Sequence, residues 1–417
     1  MMGRSPPPAI PRAPPDHPLA RLFANPDFVR LWAVGGLANA MRWVEILVAG
    51  IHVFALTGSA LAVSVIVLMR ALPLLLFGAV AGALAETLDR RRLLMAGQMA
   101  SGLSACAIVA LASLGGLQVW HLAASGFLGG LVWTGEMASR RRMVTEVAGE
   151  ADMVPAVATD SLTANTTRMA GPLLGGLLYQ TLGLAVAYGV AAGCYALAFA
   201  LLAGVRHAQV PRRLRPRRLV ADVADAVRVV RRLPVLQAVI LVTLAMNVFG
   251  FSFTAVLPAL GAQAYGASPL QIGMLTAAEP AGALLTGLAL ATRRGVPLSA
   301  PLMVAGCGIF MLCLLLVGLA PSLPVAILVL MLGGIGTAVF AALQTALPVV
   351  RAPAEARSRV LGLVATCIGM GPAGALAIGA LADRWGPGVA IPLMAGGGLV
   401  MLGFTAWILW RGQGRGA

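Results

Sequence analysis

Asn165-Thr-Thr-Arg168-Met-Ala-Gly171-Pro172-Leu-Leu-Gly175-Gly176 occurs, loosely, twice in this chain. About two hundred residues later the chain reads Gly369-Met-Gly371-Pro372-Ala-Gly374, again inside a long apolar run. After each Gly-Pro the run ends at a glycine, Gly183 in the first copy and Gly386 in the second. A repeat of about half the chain is visible before any secondary structure is assigned. A Gly-Pro pair breaks a helix in water, whereas a bilayer helix tolerates it where neighbouring helices re-satisfy the backbone. Gly175 and Gly176 also remove side chains and let another helix approach closely. The stretch predicts two related halves made of membrane helices.

Composition agrees. The chain is 59% hydrophobic and 11% charged, with mean hydropathy +0.90, a balance no soluble domain of this length would show. At roughly 20 apolar residues per crossing, about twelve crossings fit. Apolar runs fall at 31–56, 60–85, 93–115, 118–138, 155–180 and 182–204, and then at 234–263, 268–291, 298–319, 323–347, 358–382 and 387–410. The predicted fold is an all-α membrane protein with twelve transmembrane helices in two six-helix, pseudo-symmetric halves. Its divisions are a tail (1–30), a first bundle (31–204), a polar basic linker (205–233), a second bundle (234–410) and a short C-terminal tail (411–417). The proline-rich first thirty residues lack the apolar core and cleavage site of a signal peptide.

The net charge of +15 comes from arginine alone, since the chain has no lysine. Most arginines lie in the two tails or in alternate connections, those after the second, fourth, sixth, eighth and tenth runs. Arg384 stands by itself on the other side, and Arg42, Arg70 and Arg168 lie within runs. The positive-inside rule then predicts both termini and the middle linker in the cytoplasm, which only an even number of crossings permits. The cluster Pro211-Arg-Arg-Leu-Arg-Pro-Arg-Arg218 has no aromatics for base stacking, so it reads as an anchor near anionic lipid rather than a nucleic-acid site. After it, Leu219, Val223, Val227 and Val230 share a helical stripe against Asp222, Asp225 and Arg228, as in a helix lying on the membrane surface. The cysteines (Cys106, Cys194, Cys307, Cys313, Cys367) all sit in apolar runs, form no metal-ligand pattern and read as packing residues.

Ionisable residues at membrane depth are costly and usually face a cavity. Arg42, Glu45 and His52 fall on one face of the first helix. There Glu45 is a candidate proton carrier beside an arginine, or half of an internal Arg42–Glu45 ion pair that only steadies the helix. Glu279, followed by Pro280, has no basic neighbour in its own helix, and an unpaired buried carboxylate can load and release protons as its exposure changes. Glu136 and Asp160, nearer the arginine-rich ends, complete the proton-coupling candidates. Arg168, on the Gly-Pro helix, is placed to bind an anionic substrate group or a carboxylate on the first or fourth helix. Arg42, Arg70, Trp133, Asn247 and Gln344 are the other substrate or charge-pair candidates, with Phe249, Phe251 and Phe253 as further lining; His52 reads as interfacial packing.

Six stretches resemble the major facilitator superfamily, in the exporter branch that includes drug and siderophore (enterobactin-type) effluxers. Asn25-Pro26-Asp27-Phe28-Val29-Arg30-Leu31-Trp32 resembles that branch's entry into helix 1, and Leu56-Thr57-Gly58-Ser59-Ala60 its next turn. Gly82-Ala-Leu-Ala-Glu86-Thr87-Leu88-Asp89-Arg90-Arg91-Arg92 resembles the superfamily's loop signature, with Glu86 where aspartate is usual and Thr87 where arginine is usual. Arg142 to Glu146, Asn165, Arg168 and the Gly171-Pro172 run resemble the helix 4–5 pattern; Arg357-Ser358-Arg359-Val360 and Gly379-Ala-Leu-Ala-Asp383-Arg384 resemble the helix 11 pattern. The resemblance implies alternating access, with helix bends at Gly171-Pro172 and Gly371-Pro372 and a gate in which Glu86 and Asp89 meet Arg357 or Arg359 of the facing half. It implies a monomer of the bacterial inner membrane exporting a small organic molecule, such as a drug or siderophore, in exchange for protons. Energy is expected from the proton gradient, with no cofactor, no metal and no catalytic residue. The expected partners are the substrate, protons and lipid, not nucleic acid. Thr167 occupies an upstream position where the antiporter signature has glycine, so proton-coupled uptake of a metabolite is the second reading, and a non-transporting receptor the third. No phosphate-binding loop supports hydrolysis of ATP.

Overall fold

A computed structural model describes residues 17–206, 219–292 and 297–413, with the side chains at 79–87, 138, 219–224, 226, 358 and 412–413 outside the description. Gly82, Glu86 and the linker cluster at 211–218 therefore fall outside the described side chains. Ten helical stretches among the described residues are long and apolar enough to cross a membrane. One of them, α5 (Val119–Ala203), runs for 85 residues, but its backbone leaves helical angles at Gly149 (φ 74°, ψ 171°) and Gly183 (φ 79°, ψ 179°). Those positive-φ corners suit glycine and divide α5 into three passes, α5a (119–148), α5b (150–182) and α5c (184–203). The crossings are then twelve, in two halves of six.

The first half comprises α2 (Pro26–Thr57), α3 (Ala60–Thr87), α4 (Arg90–Ser113) and the three α5 passes, with a short α1 (Pro18–Ala24) before them. Helix starts follow local chemistry. Asn25 accepts from the amides of Asp27 and Phe28, Pro26 opens the first turn, and Gly58 in the left-handed conformation (φ 64°) ends α2. Asp89 caps α4 by accepting from Arg92 N. The structure begins its first crossing at Pro26 rather than 31, because this cap sets the start and hydropathy alone does not. α1 is itself packed, with Leu22 buried and Arg21 paired to Asp152 at 2.7 Å.

The second half comprises α7 (Pro234–Ala245) with α8 (Leu257–Tyr265), α9 (Pro269–Thr292), α10 (Ala300–Gly318), α11 (Leu323–Arg351), α12 (Arg357–Ile368) with α13 (Gly371–Trp385), and α14 (Pro387–Gln413). The run expected as one continuous helix at 234–263 is broken: a π-turn at Met246–Gly250 and a 3₁₀ turn at Phe251–Val256 separate α7 from α8. Irregular backbone at membrane depth survives only where protein covers it, and Met246, Phe253 and Val256 are fully buried there. The two Gly-Pro copies also differ. Pro172 sits inside an uninterrupted α5b, where the glycines beside it serve close packing. The second copy does interrupt its helix, and Gly371-Pro372 opens α13. α6 (Leu219–Arg232) joins the halves and packs on the second, where Val230 meets Leu236, Ala352 and Val360.

Each half has its own core, one around Met246, Phe253, Phe310 and Leu330, the other around Met41, Val48, Tyr188 and Tyr195. Exposed leucines such as Leu103, Leu182, Leu285 and Leu328 cover the outside, an apolar surface that belongs in lipid. All five cysteines are free thiols; Cys106 is exposed and Cys307, Cys313 and Cys367 are buried.

The halves are locked at the end remote from the arginine clusters, the far end. A Cβ on Gly176 would stand 2.5 Å from the Pro269 carbonyl, and one on Gly273 2.5 Å from that of Pro172, so α5b and α9 touch backbone to backbone. Leu270 N donates to Gln180 Oε1 at 3.1 Å. Across from these, Asp383 of α13 accepts from Ser59 Oγ (2.6 Å), Ala60 N (2.6 Å) and Leu61 N (3.2 Å), closing over the first turn of α3.

Candidate functional site

A cavity of about 130 Å³ opens inside the first half, bounded by α2, α3, α4, α5a, α5b and α5c. Arg42, Arg70, Trp133, Glu136 and Asp160 all line it, so five of the residues singled out from sequence are brought together. Glu45 lies beside it, joined to Arg70 at 3.2 Å, and both side chains are largely buried. The expected Arg42–Glu45 pair does not form. Gly126, Gly129 and Gly130 of α5a leave room for α3 to press in, and a Cβ on Gly129 would meet the Arg70 guanidinium at 3.4 Å. That space puts Arg70, rather than Arg42, in reach of Glu45.

Arg42 turns the other way. It donates to Asn39 Oδ1 at 2.5 Å and lies over the rings of Trp133 (4.6 Å) and Trp43 (5.5 Å), with no carboxylate among the described residues within ion-pair distance. Asn39 is held in turn by the Ala164 carbonyl (3.1 Å) and Thr167 Oγ1 (2.5 Å) of α5b. The threonine at position 167, which departs from the antiporter signature, thus fixes the residue that orients Arg42.

Arg140 reaches back across the cavity mouth over Gly35, where no side chain obstructs it. It grips Asp160 with two bonds, 2.5 and 3.2 Å. Glu136 approaches Arg140 Nε at 3.2 Å, but that N–H makes no well-formed hydrogen bond. One guanidinium therefore serves two carboxylates unequally.

The remaining pair spans the halves. Arg168 of α5b meets Glu279 of α9 at 2.6 Å, and Glu279 also accepts from Thr337 Oγ1 of α11 at 2.5 Å. Glu279 is 1% exposed. The expected unpaired carboxylate is thus paired, and Arg168 finds its partner in the opposite half instead of on the first or fourth helix. The partner is supplied by the close α5b–α9 contact and so leaves no trace in the sequence of either helix alone. Arg168 also lies 5.9 Å from the rings of both Trp43 and Phe251, so Trp43 stands between Arg42 and Arg168.

Other candidates sit apart. Gln344 bonds Thr243 Oγ1 at 3.2 Å, and Asn247 donates to the Thr243 carbonyl one turn back at 2.8 Å, inside the second half. His52 and Tyr179 face each other at 3.1 Å. At the arginine-rich end, Asp89 pairs with Arg92 (3.6 Å) and Arg90 with Glu146 (2.8 Å). Arg359 pairs with Asp225 of α6 at 3.0 Å, and Arg357 donates to the Ala352 carbonyl at 3.3 Å. The expected contact of Asp89 with Arg357 or Arg359 of the facing half is not made among the described residues, where Asp89 pairs with Arg92 instead; Glu86, the other expected carboxylate of the gate, lies outside them. Between described residues, every hydrogen bond and ion pair joining the halves lies at mid-depth or at the far end. Among the described residues, none of these links lies at the arginine-rich end.

Asn39, Trp43 and Thr337, which hold these charged groups, are not singled out by the sequence, and Ser59 and Asp383 stand in the quoted motifs without their contact being visible there. Asn39 shares a face with Arg42 three residues on, which was a legible signal; the others depend on contacts between distant segments.

Two six-helix halves locked together at one end, around buried charge pairs and a cavity, define a transporter of the major facilitator superfamily. The transmembrane secretion effector model matches residues 18–411, and the chain belongs to that family, whose members are transporters and not enzymes. The multidrug efflux pump Tap of Mycolicibacterium fortuitum is 28% identical over 345 residues, covering 79% of this chain and 82% of Tap. The uncharacterized transporter YfiS of Bacillus subtilis (strain 168) is 27% identical over 183 residues, 43% of each chain. Among solved structures, the peptide-transporter-family protein PepTSo superposes with a TM-score of 0.74 at 15% identity, covering 93% of this chain and 98% of PepTSo. The nucleoside transporter NupG gives 0.73 at 10%, covering 92% and 99%; these two speak to the fold alone.

Proposed function

We propose that the chain is a proton-coupled exporter of a small organic molecule in the bacterial inner membrane, with both termini cytoplasmic and halves 31–204 and 234–410 rocking about the central cavity. The distribution of arginine supports the orientation. The 28% identity to a multidrug efflux pump supports export. The observation that carries the coupling is the Arg168–Glu279 pair, the charge pair between described residues that joins the two halves. Opening the far end must part α5b from α9 and so break this pair, and leaving one buried charge without its partner costs about 3–5 kcal/mol. A proton on Glu279 removes that cost. So does a substrate that takes over one partner from the cavity, a single indole (Trp43) away. A site that admits proton or substrate, and reorients only when occupied, exchanges one for the other across the membrane. The empty protein stays locked, which prevents leak.

The test is proton movement in proteoliposomes containing a pH dye, with a panel of dyes, antibiotics and siderophores as substrates. A substrate gradient is expected to drive protons the opposite way. Glu279→Gln is expected to abolish that movement while retaining substrate binding. Movement of proton and compound in the same direction would replace export with uptake.

A further inference from the structure

The cavity of the first half presents one unmatched cation and one loosely held anion, and nothing in the coupling mechanism uses either. Arg42 has five N–H donors. One goes to Asn39, the planar face is covered by Trp43 and Trp133, and no carboxylate among the described residues accepts the rest. Across the cavity Asp160 holds Arg140 by two hydrogen bonds, while Glu136 touches only its Nε, in poor geometry. Both Glu136 and Arg42 line the cavity. A third group, Gln98, also lines it, is 1% exposed, and has an Oε1 with no partner. A buried amide oxygen left without a donor is costly unless something brings one.

We propose that this cavity binds the head of a zwitterionic molecule, its acid group on Arg42 and its ammonium on Glu136, with Gln98 accepting an N–H of the same ammonium. The assignment rests on the transport reading, whose substrate class it names. A neutral ligand would leave both charges as they are. A plain cation would satisfy Glu136 and be repelled by Arg42, and a plain anion the reverse. Only a ligand carrying both charges matches the pattern without importing net charge into a site of low dielectric. Trp133, which lines the cavity beside Arg42, offers its indole to any ring that joins the two ends.

The experiment is equilibrium binding by calorimetry to the full chain in lipid nanodiscs, so that it does not depend on transport. Three aromatic zwitterions of increasing span serve as probes: tryptophan, 4-(aminomethyl)benzoate and ciprofloxacin. Each is compared with its methyl ester, which is cationic, and its N-acetyl derivative, which is anionic. At least one zwitterion is expected to bind about tenfold more tightly than both of its capped forms. Arg42→Gln is expected to erase the preference over the ester but not that over the N-acetyl form, and Glu136→Gln the reverse. The proposal is overturned if no zwitterion beats its capped forms, or if Arg42→Gln leaves the acid-to-ester ratio unchanged. Binding with this pattern but no flux in proteoliposomes would sink the exporter reading and leave the zwitterion site standing.

Discussion

Replacing Asp383 with alanine should unlock the far end. In the structure its carboxylate accepts three hydrogen bonds from the start of α3, in the opposite half: Ser59 Oγ at 2.6 Å, Ala60 N at 2.6 Å and Leu61 N at 3.2 Å. It does for α3 what an N-cap aspartate does for its own helix, except that it arrives from more than three hundred residues away. An N-cap is worth about 1 kcal/mol, a carboxylate at a helix N-terminus about 0.3–1 more, and a hydroxyl bond to a charged acceptor about 1.5–3 where it is sheltered from water. Discounted for the exposure of Asp383, the contact favours the far-closed state by about 2 kcal/mol, or roughly 30-fold in population at tenfold per 1.4 kcal/mol. Spin labels at Leu114 and Leu319, exposed far-end positions on the two halves, would report the separation by electron–electron double resonance once Cys106 is replaced by serine. The ratio of long to short distances should rise about 30-fold in Asp383→Ala and by an intermediate factor in Asp383→Asn, which keeps an acceptor oxygen but loses the charge. An unchanged distance distribution in the alanine variant would refute the reasoning.

Arg70→Gln leaves Glu45 buried without its cation and should cost about 3–5 kcal/mol, read as a fall of several degrees in the melting temperature in detergent; adding Glu45→Gln should restore most of the loss. Gly176→Leu places a side chain where Pro269 and Leu270 now touch the backbone, so the far end cannot close. Thiol labelling of a far-end cysteine at position 60 should become fast in that variant, and slow labelling would count against the packing argument. Gly334→Ala pushes a methyl against the backbone of α9 at Ala283 N and Glu279 O, and should destabilise the protein by about 1–3 kcal/mol in the same melting assay.

Crossings and charge placement were legible because both are local. A window of about twenty residues reports hydropathy, and each loop's arginines can be counted where they stand. Intramembrane charges were legible for the same reason: Arg42, Glu45, Arg70, Glu136, Asp160, Arg168 and Glu279 stand out against any apolar run. Who pairs with whom was not. Arg42 and Glu45 lie three residues apart on one face, yet Gly129 and Gly130, on another helix, decide that Glu45 takes Arg70. The Gly171-Pro172 stretch marked the pseudo-repeat, but what its glycines touch did not show: Gly171 and Gly175 pack against Trp43 and Val44 of α2 within an uninterrupted helix. The break in the seventh crossing also left no mark. Met246 to Val256 reads as ordinary apolar helix, and its irregular turns are set by burial among Phe310, Met311 and α14.

The placement of the charge pairs argues for where coupling resides. Arg70–Glu45 and Arg140–Asp160 each join helices of one half, and a rocking motion that keeps each half rigid leaves their distances unchanged. Protonating Glu45 or Asp160 would loosen a bundle without favouring either end. Arg168–Glu279 is different in kind, because its two members belong to different halves, the bodies that part in the proposed cycle. Thr337 adds to the asymmetry by anchoring Glu279 to α11, so that when the halves part the carboxylate stays with the second half and Arg168 leaves with the first. Glu279→Gln should therefore change the balance between the two open states, whereas Glu45→Gln should change stability and leave that balance where it was. The Leu114–Leu319 distance distribution separates the two: a shift in Glu45→Gln as large as that in Glu279→Gln would place the coupling inside a half and end the argument.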